Sequence, residues 1–303
     1  MKSILGFLKD YIFNIDKRAF YFSALFAGIF IFINYYFHLN KSISSLGFFE
    51  KFIAWYLIFL LAFTLPYFIS FFFKKHYPLN LQFYLLLIIA PALFAWKISA
   101  SLPFPISTDN YENIYWNKVL YWPVKLLIVS FLLFLVWWVF KGDKSLYGLR
   151  IKTLNWKPYL LMLAIMVPLI AVASTQPDFL LVYPKLKNVH FLSEKQNGIG
   201  YKFLYELSYG SDFFTIELFF RGFLVIAFAR WVGKDAILPM AVFYCTIHFG
   251  KPLGECISSF FGGIILGVIT FHTRSIYGGL IVHLGIAWMM ELGGYLGNAF
   301  VGK

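Results

Sequence analysis

The residues of this sequence that could do chemistry are a few ionisable side chains set in apolar, aromatic segments towards the C-terminus. Glu217 and Arg221 lie four residues apart in the run DFFTIELFFRGFLVIAFAR. On an α-helix that spacing places both groups on one face, where they can pair. A charged side chain costs about 2.5 to 3.5 kcal/mol at the centre of a membrane helix, so such a pair indicates a functional site that faces protein or water.

Two imidazoles follow in later apolar segments. His248 ends the run AVFYCTIHFG, with Tyr244 one turn before it, and His283 lies inside IYGGLIVHLGIAWMMELGGY, with Glu291 two turns further on. A carboxylate and two imidazoles that converge can deprotonate a water molecule and direct it at a carbonyl carbon. The same set can bind a divalent metal, because two His and one Glu are an established ligand set. The residue types do not separate these two chemistries.

Each of these residues also fits a structural role. Glu217 and Arg221 can lock two helices together as an ion pair. His248 is followed by the helix-ending sequence FGKP, which is typical of a membrane-surface position, and His283 can simply bond a backbone carbonyl. Cys245, three residues before His248, is a weak zinc signal because no second such pair is present.

The composition indicates the kind of molecule that carries these groups. The chain has 303 residues, of which 60% are hydrophobic, 22% aromatic and 13% charged, and its mean hydropathy is +0.73. Soluble domains carry about 25% charged residues, so the sequence predicts an all-α, polytopic membrane helix bundle. The net charge of +12 comes from Lys and Arg residues that mostly lie between apolar segments. That placement predicts contact with membrane lipids and does not favour nucleic-acid binding.

Apolar runs of suitable length predict eight or nine transmembrane helices. The runs are 19–37, 52–73, 81–96, 119–140 and 158–174, then 201–230, 236–248, 257–272 and 276–300. The last four contain Gly, His, Glu and Arg, which predicts that they face a protein interior. The sequence thus divides into transmembrane helices with an amphipathic N-terminal segment (1–174), an extramembrane connection (175–200) and a motif-bearing core (201–303). The distribution of Lys and Arg predicts an N-terminus on the cytoplasmic side of the cell (inner) membrane.

In order and spacing, the late residues resemble the CPBP (Abi) family of CAAX prenyl proteases and bacteriocin-processing enzymes, which are multi-span intramembrane endopeptidases. That family is marked by Glu-Glu-x-x-x-Arg, aromatic-x-x-x-His and His-x-x-x-Asn (or Asp) motifs on successive helices. IELFFRG matches the first motif at Glu217 and Arg221, YCTIH matches the second at Tyr244 and His248, and HLGIA matches the third at His283. The resemblance covers the last third of the chain and implies catalytic roles for Glu217, Arg221, His248 and His283.

Two positions depart from the family pattern. Ile216 stands where the family has its first Glu, to which the resemblance assigns activation of the water, and Ala287 stands where it has the Asn of the oxyanion site. Loss of an oxyanion donor typically costs about 10² to 10³ in rate, and loss of a general base about 10² to 10⁴. Glu217, Glu206 and Glu291 are the alternatives for the base. Glu206, eleven residues before Glu217, shares its helix face only if one helix runs unbroken between them.

Two functions from different classes are compatible with these residues. In the first, a water activated by Glu217 with His248 and His283 attacks a peptide bond of a membrane-presented or lipidated substrate. In the second, the chain is a catalytically inactive CPBP-type scaffold or regulatory membrane protein that uses the same residues to grip a partner. We favour the peptidase, and a transporter is a weaker third possibility because internal symmetry is lacking. The sequence requires no cofactor, and a divalent metal stays compatible with it.

Overall fold

We describe the chain from a computed structural model over residues 4–73, 77–140, 145–151, 155–194 and 198–301. Within these residues all regular structure is helical and no strand is present, as the all-α prediction requires. The α-helices are α1 (Ile4–Asn14), α2 (Lys17–Tyr36), α3 (Leu39–Ser44), α4 (Phe48–Phe73), α5 (Leu81–Ser99), α6 (Asn110–Val139), α7 (Lys157–Ala173), α8 (Pro177–Val182), α9 (Phe191–Glu194), α10 (Ile199–Glu217), α11 (Ala229–Val232), α12 (Ile237–Thr246), α13 (Leu253–Thr273) and α14 (Tyr277–Val301). A ten-residue π-helix, Leu218–Ala227, follows α10 directly, and 3₁₀ helices span Lys185–Asn188 and Gly233–Ala236.

Side-chain caps explain where two of the long helices begin. The carboxylate of Asp16 accepts a hydrogen bond from the backbone N–H of Arg18 at 2.9 Å, and the side chain of Asn80 accepts one from Phe83 at 3.1 Å. Each cap satisfies a backbone donor that has no partner in the first turn of a helix. The Arg18 side chain also bonds the Asp16 carboxylate, which holds the pKa of that group below its usual range.

Six helices of the described chain are long and apolar enough to cross a membrane. They are Lys17–Tyr36, Phe48–Phe73, Leu81–Ser99, Asn110–Val139, Leu253–Thr273 and Tyr277–Phe300. The chain is therefore an integral membrane protein, but the predicted number of eight or nine spans is not confirmed. The predicted spans 201–230 and 236–248 are broken, because the first changes from α- to π-helix after Glu217 and the second contains only the ten residues of α12. Helix α7 is apolar but only 17 residues long.

The chain divides into two compact units. The first unit consists of Met1–Ser101, Leu132–Lys152 and Leu218–Ile276. In this unit α4 packs against α5 and α12, and α12 also packs against α2 and α13. Its core is aromatic: the ring centroids of Phe59, Phe94 and Phe243 lie 4.8 to 6.0 Å from one another. Rings at this spacing add to the stability that burial of their apolar area provides.

The second unit consists of Leu102–Phe131, Thr153–Glu217 and Tyr277–Lys303. Here α14 packs against α7, α8 and α10. One apolar cluster joins α6 to α9 and α10 through Tyr115, Val119 and Tyr205, and another gathers around Phe179 and Tyr183. This unit thereby fixes α10 and α14 against each other, and these two helices carry Glu217 of the first sequence motif and His283 of the third.

The amphipathic N-terminal segment forms helix α1, which packs against α13 within the first unit. The ring of Phe7 stacks on His272 near the end of α13 with 4.5 Å between centroids. At the other end of α1, the carbonyl of Asn14 accepts a hydrogen bond from the Lys234 ammonium at 2.6 Å. The segment is thus docked on the helix bundle by both an aromatic and a polar contact.

Candidate active site

Glu217 and His283 form a direct contact inside the second unit. The carboxylate of Glu217, the last residue of α10, is fully buried, and its Oε1 lies 2.9 Å from Nδ1 of His283 on α14. The His283 side chain retains 14% of its exposure. An ionised carboxylate only accepts hydrogen bonds, so a neutral imidazole in this contact donates from Nδ1 and presents Nε2 as its basic nitrogen.

Close helix packing positions this pair. Helices α10 and α14 are antiparallel neighbours, because Gly210, seven residues before Glu217, faces Leu284 and Trp288, which follow His283. A methyl group at Gly210 would lie 3.2 Å from the Leu284 side chain, so this position is already close to its neighbour. Phe213, one turn before Glu217, presents its ring edge to the His283 imidazole at 4.7 Å between centroids. The imidazole is thus oriented by the carboxylate and by an aromatic ring of the same helix.

The structure does not bring the two other candidate bases to this pair. Helix α10 does run unbroken through Gly210, but Glu206 lies eleven residues from Glu217, about 16 Å along the axis. Glu291 lies eight residues after His283, about 12 Å away, and its Oε2 accepts a hydrogen bond from the backbone N–H of Lys185 at 2.8 Å. Glu291 therefore holds the 3₁₀ turn that begins at Lys185.

The two departures from the family pattern are both buried. Ile216 is 7% exposed and Ala287 is 4% exposed. Ala287 lies one turn after His283 on α14, and Ile216 lies directly before Glu217. Both positions thus carry apolar side chains close in sequence to Glu217 and His283.

Arg221, Tyr244 and His248 lie together inside the first unit. Arg221 is fully buried in the π-helix, and its guanidinium carbon lies 4.1 Å from the centroid of the Tyr244 ring, which is a cation–π contact. The ring of His248 meets the same tyrosine edge-on at 4.7 Å, and its Nδ1 lies 3.0 Å from the Tyr244 carbonyl oxygen. Tyr244 therefore contacts both the guanidinium of Arg221 and the imidazole of His248.

The backbone around these two residues differs from the expected helices. The spacing of Glu217 and Arg221 assumed one continuous α-helix, whereas Arg221 lies in a π-helix, whose backbone bonds join residues five apart. Helix α12 ends at Thr246, so His248 lies in the turn that follows and not within a helix. The residues after His248 thus correctly predicted that the helix ends here. The helix ends at Thr246, two residues before the predicted boundary.

One glycine allows the π-helix to approach a neighbouring segment. A methyl group on Gly222, directly after Arg221, would lie 2.6 Å from the carbonyl oxygen of Tyr147. Real Cβ atoms do not approach an oxygen so closely, so the residue after the buried arginine must be glycine for this backbone path.

The two cysteines lie together inside the first unit. Cys245 and Cys256 are both buried and reduced, and their sulfur atoms are 3.9 Å apart. Over the described ranges, no three His, Cys, Asp or Glu side chains are arranged to hold a metal ion. The zinc signal at Cys245 thus has no set of ligands among the described residues.

Sequence reasoning missed two residues of the second unit. Phe213 was detectable, because a residue four positions before Glu217 shares its helix face. Lys125 is fully buried in α6, with its ammonium nitrogen 3.8 Å from the centroid of the Tyr121 ring. A lysine inside an apolar run was the available signal, since intramembrane charges are rare and mark functional or structural polar sites.

Residues 211–289 match the family model of the type II CAAX prenyl endopeptidases, Rce1-like. The chain carries an Rce1-like domain. This match is consistent with the CPBP family that the three motifs indicate, and the Rce1-like stretch includes Glu217, Arg221, His248 and His283. Glu206 and Glu291 lie outside it. Searches of curated proteins and of solved structures found no match to the chain.

Proposed function

We propose that the protein is an intramembrane endopeptidase that hydrolyses a peptide bond of a membrane-associated substrate with an activated water. The observation that carries this proposal is the 2.9 Å contact between Glu217 Oε1 and His283 Nδ1. A carboxylate that orients an imidazole is the arrangement by which hydrolytic enzymes obtain a base that works near neutral pH. The Rce1-like domain supports the same reaction class.

In this mechanism His283 is the general base. Its Nε2 removes a proton from the water, the resulting hydroxide attacks the carbonyl carbon, and Glu217 stabilises the imidazolium that forms. The imidazolium then returns the proton to the leaving amine, so that the base is regenerated. No carboxylate at position 216 is needed for these steps, which is why Ile216 is compatible with hydrolysis.

Arg221 and His248 complete the proposed catalytic set through their chemistry. The tetrahedral intermediate carries negative charge on oxygen, and Ala287 has no side-chain donor for it. Arg221 has a permanent positive charge and five N–H donors, and His248 has a second titratable imidazole. We assign to these two residues the stabilisation of developing charge, a role that their positions in the family motifs support.

The proposed setting follows from the sequence. We propose residence in the cell (inner) membrane with a cytoplasmic N-terminus, contact with membrane lipids, and a peptide or protein substrate presented by the membrane. In the proposed organisation, 1–174 are N-terminal helices, 175–200 an extramembrane connection and 201–303 the catalytic core. The reaction as proposed requires no cofactor. The alternative is that a divalent metal takes part in it, and chelation by EDTA tests this.

The test is cleavage of a co-expressed, membrane-anchored reporter. We expect Glu217→Gln and His283→Ala each to abolish cleavage while the folded yield stays at the wild-type level. His190→Ala, which removes an exposed imidazole of the same unit, is the matched control and should cleave normally. EDTA should leave the wild-type rate unchanged. Absence of cleavage by the wild type across a panel of reporters, with both substitutions reducing only folded yield, would instead identify an inactive scaffold.

A further inference from the structure

Two side chains of α2 bond the turn that carries His248. The Nδ2 atom of Asn34 donates a hydrogen bond to the carbonyl oxygen of Phe249 at 3.0 Å. The hydroxyl of Tyr35 donates to the carbonyl oxygen of Lys251 at 2.6 Å. Both contacts lie within the first unit and join residues more than 200 positions apart in the chain. The His248 turn is therefore fixed to a helix near the N-terminus.

Carbonyl groups of this turn need donors from outside it, because the turn lies between two helices. Its backbone bonds run from the N–H of His248 to Cys245, of Phe249 to Thr246 and of Lys251 to His248, at 2.9 to 3.4 Å. The carbonyls of Phe249 and Lys251 accept their bonds from α2. A carbonyl left without a donor in a membrane protein costs several kcal/mol, so donors from α2 stabilise this path of the chain.

Asn34 is held at both ends of its amide. Its Oδ1 accepts a hydrogen bond from the backbone N–H of Asn40 at 3.0 Å, and the residue is only 3% exposed. Asn40 also faces the turn directly, because a methyl group on Gly250 would lie 3.1 Å from the Asn40 Nδ2. An amide fixed at two points cannot rotate away from Phe249 without breaking the second bond. Asn34 can therefore hold the turn at a fixed position relative to α2.

We propose that Asn34 and Tyr35 are positioning residues for His248. This inference rests on the proposed function, which makes His248 part of the catalytic set. It extends that set to helix α2, well outside the Rce1-like stretch 211–289. A displacement of about 1 Å in a catalytic group can lower the rate about 10²-fold, so two hydrogen bonds to the neighbouring backbone are sufficient to control activity.

The kinetic test compares three purified variants with the wild type on the cleaved reporter. Asn34→Leu removes both amide contacts at similar volume and should lower kcat about 10- to 100-fold with KM unchanged. Tyr35→Phe removes one donor and should lower kcat about 3- to 10-fold. Tyr36→Phe is the matched control, because it makes the same change in the adjacent, 67% exposed tyrosine and should have no effect.

A second measurement does not depend on catalysis. The rate at which diethyl pyrocarbonate modifies His248, followed by mass spectrometry, should rise at least about threefold in Asn34→Leu and Tyr35→Phe, because a loosened turn exposes the imidazole. Unchanged modification and unchanged kcat in the folded variants would overturn the proposal. If Asn34→Leu does not fold, Tyr35→Phe decides. If the wild type cleaves nothing, the modification rates still decide the positioning role, and only the proposed function fails.

Discussion

The two groups of motif residues satisfy buried charge in different ways. In the second unit, Glu217 is paired with His283, a side chain that can itself take or release a proton. In the first unit, Arg221 lies on the face of Tyr244, and His248 bonds the backbone carbonyl of that same tyrosine. The first arrangement can exchange protons during a reaction, whereas the second holds the permanent charge of Arg221 against an aromatic ring.

This difference separates the two groups by chemical role. A carboxylate–imidazole pair can raise the basicity of a nitrogen and then stabilise the cation that forms. A guanidinium on an aromatic face keeps its charge at every accessible pH and serves best as a constant electrostatic feature. We therefore expect Glu217 and His283 to transfer protons during the reaction. We expect Arg221 and His248 to stabilise the charge that develops.

A double-mutant cycle on Glu217 and His283 should give the largest effect. His283→Ala and Glu217→Gln are each expected to lower kcat by about 10² to 10⁴, because either change removes the oriented base. The double variant should be no slower than the worse single variant, since the two residues act as one unit. If the two single effects on kcat multiply in the double variant, Glu217 and His283 work independently. The contrast between the two groups of motif residues would then fail.

Arg221→Lys should have a smaller effect, of about 10- to 100-fold on kcat. The lysine keeps the positive charge but loses the planar group that stacks on Tyr244 and its fork of donors. Arg230→Lys is the matched control, since Arg230 makes the same kind of contact on Trp231 at 3.7 Å but at an exposed position. The pH profile should keep its shape in Arg221→Lys, and a shifted profile would mean that this group also handles protons.

Gly222→Ala should have the smallest effect on chemistry and a measurable one on stability. A Cβ atom there overlaps the Tyr147 carbonyl, so the midpoint of thermal unfolding in detergent should fall, by an amount equivalent to about 1 to 3 kcal/mol. Gly262→Ala is the matched control within the same unit, because nothing lies within 4 Å of its Cβ position in helix α13. That change should stabilise the protein by up to about 1 kcal/mol. Equal midpoints for the two variants would contradict the close approach at Gly222.

The sequence was sufficient for the features that depend on local composition. Apolar runs of helical length predicted the all-α membrane class and the long helices, because each run must bury its own backbone polar groups in lipid. The helix-ending residues after His248 predicted the turn in which it lies. The ionisable residues inside late apolar runs also marked the positions that proved to be buried, Glu217 and Arg221 among them.

The features that depend on packing between distant segments could not be predicted. The contact of the Glu217 carboxylate with His283, 66 residues later, arises from the antiparallel packing of α10 and α14, which the spacing of Glu217 and Arg221 does not indicate. No residue pattern distinguished the π-helix from an α-helix, since both show the same apolar composition. The bond from Asn34 to Phe249 spans 215 residues and has no signal in either segment alone.

The π-helix also has a consequence for the lineage of this chain. A π-helical turn is the form that an α-helix takes when it accommodates an extra residue without shifting the rest of the helix. Removal of a single residue between Leu218 and Ala227 would therefore let this stretch rewind towards an α-helix, while the residues beyond it keep their places. Homologues that lack one residue here should therefore have an α-helix over this segment, with the elements that follow it in the same place.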